Sequence, residues 1–197
     1  MHAADPAVIT AAILAGGAGS RLGGRDKGLQ PLAGRPLIAH VLAALRPQAG
    51  TTLIVANRHR ERYAAFAPVV SDAVPGFRGP LAGIAAVLAA CRSDWLLTAP
   101  VDCPAPPCDL ARRLWAAARA AGARLAVAHD GTRPQPLFAL YARDLAGAAA
   151  EALASDLPVW RWQETLGAAV ADFADVPAAF ANLNTAADFR RWEQDHA

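Results

Sequence analysis

The sequence predicts a doubly wound α/β fold, a mostly parallel sheet flanked by helices. Three observations carry that expectation. Short apolar runs rich in β-branched residues recur along the chain. Stretches of helical period separate them, so strand and helix alternate as right-handed crossovers require. No linker, repeat or composition shift divides the 197 residues, which suits one domain spanning 1–197.

The elements follow in order. Val8 to Leu14 is an apolar run stopped by Gly16-Gly17 and reads as a buried strand. Pro36 opens a helix that puts Leu37, Ile38, Val41, Leu42 and Leu45 on one face. Further strands are expected at Thr51 to Val55, Pro68 to Val70, Trp95 to Thr98, Leu125 to Ala128 and Leu137 to Tyr141. Leu81 to Ala90 reads as a second helix. Asp109 is placed to cap a third, with Gly122 as its stop. Thr185 and Asp188 have capping-box spacing before Phe189 and Trp192.

Composition narrows the function classes. A hydrophobic fraction of 54% against 18% charged residues excludes a disordered chain. A net charge of +2 gives no electrostatic case for binding nucleic acid. No apolar run reaches the roughly 18–20 residues of a membrane span. The run at Val8 has no Lys or Arg before it, so it does not read as a secretory signal. Cys91, Cys103 and Cys108 form no C-x-x-C pair, which fits a reducing cytoplasm. His40, His59 and His129 lack zinc-ligand spacing. The chain holds 51 alanines and 18 arginines, a bias that reflects base composition, but only one lysine, Lys27.

That lysine ends the most informative segment, Leu14-Ala15-Gly16-Gly17-Ala18-Gly19-Ser20-Arg21-Leu22-Gly23-Gly24-Arg25-Asp26-Lys27-Gly28. Five glycines from Gly16 to Gly24 allow the close backbone approach that a phosphate-cradling loop needs. Neither G-x-G-x-x-G nor G-x-x-x-x-G-K-[ST] is satisfied. A flexible turn would explain glycines alone, whereas Arg21 and Lys27 add two cations suited to a triphosphate. The whole string resembles LxGGxxxRxGxDK, the signature of nucleotidyltransferases that act on nucleoside triphosphates. It is most similar to the molybdenum cofactor guanylyltransferases, the MobA family. The similarity continues through Pro36–Val41, Ala56-Asn57-Arg58-His59, Asp72, Gly79–Gly83, Pro100–Pro104, His129-Asp130-Gly131 and Asn182-Leu183-Asn184-Thr185.

The resemblance implies a Rossmann-like nucleotidyltransferase fold and transfer of GMP from GTP to molybdopterin. It also implies that the Asp102 position binds Mg²⁺ and the Asp72 position contacts the nucleotide. Both aspartates follow expected strands, on the rim where doubly wound sheets bind ligands. Mg²⁺ usually takes one or two carboxylates plus substrate phosphates. Cys103, beside Asp102, lacks an evident His partner and reads as a neutral thiol.

Guanine needs acceptors for N1–H and N2–H₂ and a donor for O6, which backbone groups of Leu14, Ala15 and Gly16 can supply in part. LAGG, with Gly17, accompanies guanine in the resembled family, while the related cytidylyltransferases carry LAAG. Asn57 joins the expected GTP contacts. The chain departs from the family at Val55, where asparagine is common. Asn182 and Asn184, alternating at the end of an expected strand, are candidates for molybdopterin, with capping before the last helix as their plainer role. Arg78, Arg133 and Gln135 fall near loops that could hold acceptor phosphate. The five tryptophans read as packing residues.

The catalytic set is thus Arg21, Lys27 and Asp102. A cytidylyltransferase for the same pterin, a sugar-phosphate nucleotidyltransferase and a non-catalytic nucleotide-binding module are the alternatives. Expected partners are GTP, molybdopterin, other molybdenum cofactor biosynthesis proteins and an acceptor molybdoenzyme.

Overall fold

A strand whose side chains alternate between two apolar layers must be covered on both faces, and β1 (Ile9–Leu14) is such a strand. Ile9, Ala11 and Ile13 enter one core cluster, and Ala12 and Leu14 enter the other. A computed structural model describes residues 5, 8–16, 26–72 and 79–196. Among them the other strands are β2 (Pro31–Leu32), β3 (Arg35–Pro36), β4 (Thr51–Val55), β5 (Val69–Val70), β6 (Trp95–Pro100), β7 (Leu125–His129), β8 (Pro134–Ala142) and β9 (Ala169–Asp172). The helices are α1 (Leu37–Leu45), α2 (Arg60–Ala64), α3 (Pro80–Ala90), α4 (Leu110–Ala121), α5 (Ala146–Ala154), α6 (Val159–Thr165) and α7 (Ala186–Asp195).

Seven strands form one sheet in the order β5-β4-β1-β6-β8-β7-β9, and β2 with β3 makes a separate small hairpin. β1 pairs in parallel with β4 and β6, β4 with β5, and β7 with β9. Within the described seven-stranded sheet only β8 runs against its neighbours, pairing antiparallel with β6 and β7. The expected mostly parallel sheet is therefore present. α1 and α4 cover one face, through Ile38, Val41, Leu42, Leu114 and Ala118. α3, α5 and α6 cover the other, through Leu81, Ile84, Leu88, Ala149 and Trp162. α3 lies close over the sheet because a Cβ on Gly83 would meet Cγ1 of Val55 at 2.9 Å. Val55 is 3% exposed, so its side chain serves this packing.

Several expectations need correction. Asp109 stands before α4 but makes no capping bond with its side chain. Its φ of −115° and ψ of 20° are not an extended cap conformation, and its carboxylate meets Arg112 at 2.6 Å instead. No strand ends at Asn182 to Asn184; that segment is an irregular link, joined to the sheet by Leu183 N–H donating to the Asp102 carbonyl at 2.8 Å. Gly122 does end α4 in the left-handed region, at φ 61°. Thr185 and Asp188 do form a reciprocal capping box. Trp162 is buried, as expected, but Trp160 is half exposed.

Candidate active site

Parallel strands that end side by side project their following residues onto a common rim. Here β5, β4, β1 and β6 end at Val70, Val55, Leu14 and Pro100. Two residues further along each strand stand Asp72, Asn57, Gly16 and Asp102, in that spatial order. The rim therefore gathers four of the expected site residues by topology alone.

Asn57 and Asp72 are clasped together. Asn57 Nδ2 donates to Asp72 Oδ1 at 2.7 Å, and the Asp72 backbone N–H donates to Asn57 Oδ1 at 3.1 Å. Further in, Ala15 N–H donates to the Val55 carbonyl at 2.9 Å, and the Leu14 carbonyl accepts from Val101 at 3.1 Å. These two expected backbone contacts already continue the sheet, while no described atom lies within 4 Å of where a Gly16 side chain would start.

The centre of the rim is a cation between two oxygens. Lys27 Nζ lies 3.3 Å from Asp102 Oδ2 and donates to Asn184 Oδ1 at 2.7 Å. Lys27 and Asp102 are each about a quarter exposed at the side chain, 24% in both cases, so the pair is reachable from solvent. Three segments far apart in sequence meet there: the turn before the hairpin, the end of β6 and the link into α7. Asn184 is aimed by the α7 cap, because the Asp188 carboxylate accepts its backbone N–H at 2.8 Å and that of Thr185 at 2.7 Å. Those backbone donors hold the Asp188 carboxyl below the usual carboxylate range.

Beside this group the Cys103 thiol is fully buried and donates to Asn182 Oδ1 at 2.8 Å. Burial, then the neighbouring Asp102 charge, pushes the thiol pKa up, so it stays neutral. Asn182 consequently turns its amide oxygen toward the protein. Gln135, expected near a phosphate, donates to Asp130 at 2.5 Å, and the Arg133 backbone N–H caps the same carboxylate at 2.8 Å. Arg21, Gly17 and Arg78 lie outside the described residues.

Sequence reasoning assigned no role to Asp26 or Tyr63. Asp26 Oδ1 accepts from the Gly28 N–H at 3.2 Å and from the Tyr63 hydroxyl, which α2 supplies. The D-K pair within the glycine-rich signature was the available signal for Asp26; nothing local marked Tyr63.

The donor set at the centre is one carboxylate and one amide oxygen, both hard ligands already facing a cation. Among the described residues no group of three or more His, Cys, Asp or Glu side chains gathers as a cage for a metal. Such a set fits a divalent ion that brings phosphate ligands with it.

A cavity of about 400 Å³ opens on the same rim, lined by Gly79, Leu81, Leu137, Val159 and Trp160 among others. Leu137 precedes Ala139, which pairs with Thr98, so β8 carries this lining past the end of β6 toward Asp102. No described helix is long and apolar enough to cross a membrane.

A mostly parallel sheet with anionic and amide groups on its carboxyl rim, next to a lysine-bearing turn, defines a nucleotide-handling α/β protein. The sequence profile of the MobA-like NTP transferase domain matches residues 11–170. The chain belongs to this family of nucleotidyltransferases. It is 44% identical over 179 residues to the molybdenum cofactor guanylyltransferase of Shewanella loihica, covering 90% of this chain and 91% of that one. It is 43% identical over 194 residues to the protein of the same name from Cupriavidus pinatubonensis, covering 94% and 96%. The crystal structure of molybdopterin-guanine dinucleotide biosynthesis protein A from Archaeoglobus fulgidus superposes with a TM-score of 0.78 at 25% identity, over 95% of this chain and 98% of that one.

Proposed function

We propose that this chain transfers GMP from GTP to the phosphate of molybdopterin, forming molybdopterin guanine dinucleotide and releasing pyrophosphate. The observation that carries the reading is the rim group of Lys27, Asp102 and Asn184, set in a chain of the MobA-like family. The names of its guanylyltransferase relatives support GTP as donor and a molybdopterin as acceptor. The base is assigned to Gly16, Gly17 and those backbone groups of Leu14 and Ala15 that the sheet does not already bond, and the Asn57–Asp72 clasp holds the nucleoside from the next two strands.

The acceptor phosphate oxygen attacks the α-phosphorus in line, a P–O bond forms, and the bond to the pyrophosphate oxygen breaks. Lys27 and Arg21 neutralise charge on the phosphates and fix their direction, which is the main protein contribution in such transfers. Asp102, with Asn184 beside it, would hold Mg²⁺ together with triphosphate oxygens; the ion supplies charge neutralisation when bound. Asn182 and Asn184 would meet the acceptor phosphate through their amide nitrogens, since their amide oxygens are taken by Cys103 and Lys27. The acceptor's flat ring system lies in the cavity bounded by Trp160 and Leu137, since a half-exposed indole over an apolar floor offers a stacking surface. Trp160→Ala is accordingly expected to raise the KM for acceptor about three- to tenfold. Titration with GTP alone should show the same affinity for that variant as for the unaltered chain.

We place the reaction in the cytoplasm, within one domain, beside other molybdenum cofactor biosynthesis proteins and an acceptor molybdoenzyme, with no role for nucleic acid or membrane. The deciding experiment is incubation with GTP, Mg²⁺ and molybdenum cofactor, followed by mass analysis of the product. Equal or better use of CTP would make the chain a cytidylyltransferase. Absence of pyrophosphate with authentic acceptor would make it a binding module.

A further inference from the structure

The geometry points to Tyr63 as the positioning residue of the Lys27 turn: its hydroxyl holds Asp26, Asp26 holds the Gly28 backbone, and Lys27 is thereby presented between Asp102 and Asn184. The inference rests on the reading of Lys27 as the cation that meets the triphosphate.

The turn itself is short. Residues Lys27–Leu29 form a single 3₁₀ turn closed by Leu29 N–H to the Asp26 carbonyl at 3.3 Å and Gln30 N–H to the Lys27 carbonyl at 3.1 Å. Those bonds shape it without fixing where it sits. A lysine ammonium on a flexible four-carbon stem is only as well placed as the backbone beneath it. Tyr63 supplies an anchor from another part of the fold. It lies on α2, 37 positions from Asp26, and is fully buried. One oxygen of Asp26 thus takes both the phenol and the Gly28 N–H, joining turn and core through a single atom.

The fit is close as well as bonded. A Cβ on Gly28 would overlap the Tyr63 hydroxyl and lie 2.9 Å from Cγ2 of Val101, the residue before Asp102. Only glycine lets the turn press against both. The contact that seats the turn on Tyr63 therefore also sets its distance from the strand end that carries Asp102. Among the described residues the Tyr63 hydroxyl bonds to Asp26 and to none of Leu14, Ala15 and Gly16; it acts through Asp26.

Tyr63→Phe tests this, because it keeps the ring in the core and removes only the donor. Calorimetry with Mg²⁺ should show GTP affinity lowered about tenfold, the scale of one lost hydrogen bond to a charged group. Guanosine, which carries no phosphate, should bind as before. Lys27→Ala should weaken GTP binding too, and adding Tyr63→Phe to it should cause no further loss. Asp26→Ala, on a half-buried turn, should reproduce the pattern and keeps the test available if the Tyr63 variant does not fold. Unchanged GTP affinity, equal weakening of GTP and guanosine, or a full further loss in the Lys27→Ala background would each overturn the inference. Normal GTP affinity and normal transfer by Lys27→Ala alone would instead overturn the reading of Lys27 on which it rests.

Discussion

Two cation–carboxylate pairs on this molecule have cations of nearly equal exposure, 24% for Lys27 and 23% for Arg113, and differ in what surrounds those cations. Arg113 sends two guanidinium nitrogens to Asp175, at 3.0 and 2.7 Å. It also donates to the Asp172 carbonyl and lies 4.0 Å from the centre of the Phe173 ring. The Asp175 hydrogen bonds raise the Arg113 pKa further, and Arg113 holds the Asp175 carboxyl below its usual range. Lys27 meets Asp102 at a longer 3.3 Å, and its shorter contact, at 2.7 Å, is to a neutral amide. The first cation has contacts on several sides and ties α4 to the segment after β9. The second is held by a few contacts of a kind that phosphate oxygens can replace. A charge pair's role thus follows from what else its cation touches.

Exchanging the two cations should separate the roles. Lys27→Ala is expected to abolish transfer, a loss of at least about 1,000-fold, with the fold intact by circular dichroism. Lys27→Arg keeps the charge but replaces a compact ammonium with a planar fork, and should still cost roughly 10- to 100-fold in transfer rate. Rates within a factor of two of the unaltered chain would erase the contrast. Arg113→Lys and Arg113→Ala should leave the transfer rate unchanged and lower Tm by a few degrees at most, about 3 °C, as a pair whose carboxylate is largely exposed allows.

The same contrast has a pH signature. Because the folded Asp175 pKa is depressed, its contribution to stability is present above the ordinary carboxylate range and is lost as pH falls through the lowered folded value. Asp188 behaves the same way through its bonds to Asn184 and Thr185. Thermal melts between neutral and acid pH should show Arg113→Ala with a shallower acid slope than the unaltered chain. An unchanged slope would mean that Arg113 is not what holds Asp175.

Much of the architecture was legible in the sequence where one segment is enough to specify an element. Short apolar runs located β1, β4 and β6, and the spacing of Leu37 to Leu45 located α1 and its buried face. Direction is not written into a strand, so the reversal of β8 emerges only from pairing. β9 is a four-residue run, Ala-Val-Ala-Asp, too short and alanine-rich to stand out. α5 is hidden by the same alanine background. At the rim, a signature points to Lys27 and a strand end to Asp102, and the two side chains meet there. Asn182 and Asn184 were placed on a strand that does not exist, because alternation in four residues cannot distinguish a strand from a link before a capped helix. Tyr63 was invisible because its partner lies on another element.

Lys27 and Asn184 are separated by 157 positions, yet their side chains share one hydrogen bond. A contact of such long order forms only after the intervening sheet has closed the loop between them. The same holds for Leu183 and the Asp102 carbonyl. A nascent chain that has emerged only as far as β8 has its glycine-rich segment and its first four parallel strands, but not the Asn184 oxygen that meets Lys27. Synthesis order therefore delivers Asn184 after the strands that carry the rest of the rim, and a chain stopped before it keeps most of the sheet without this contact.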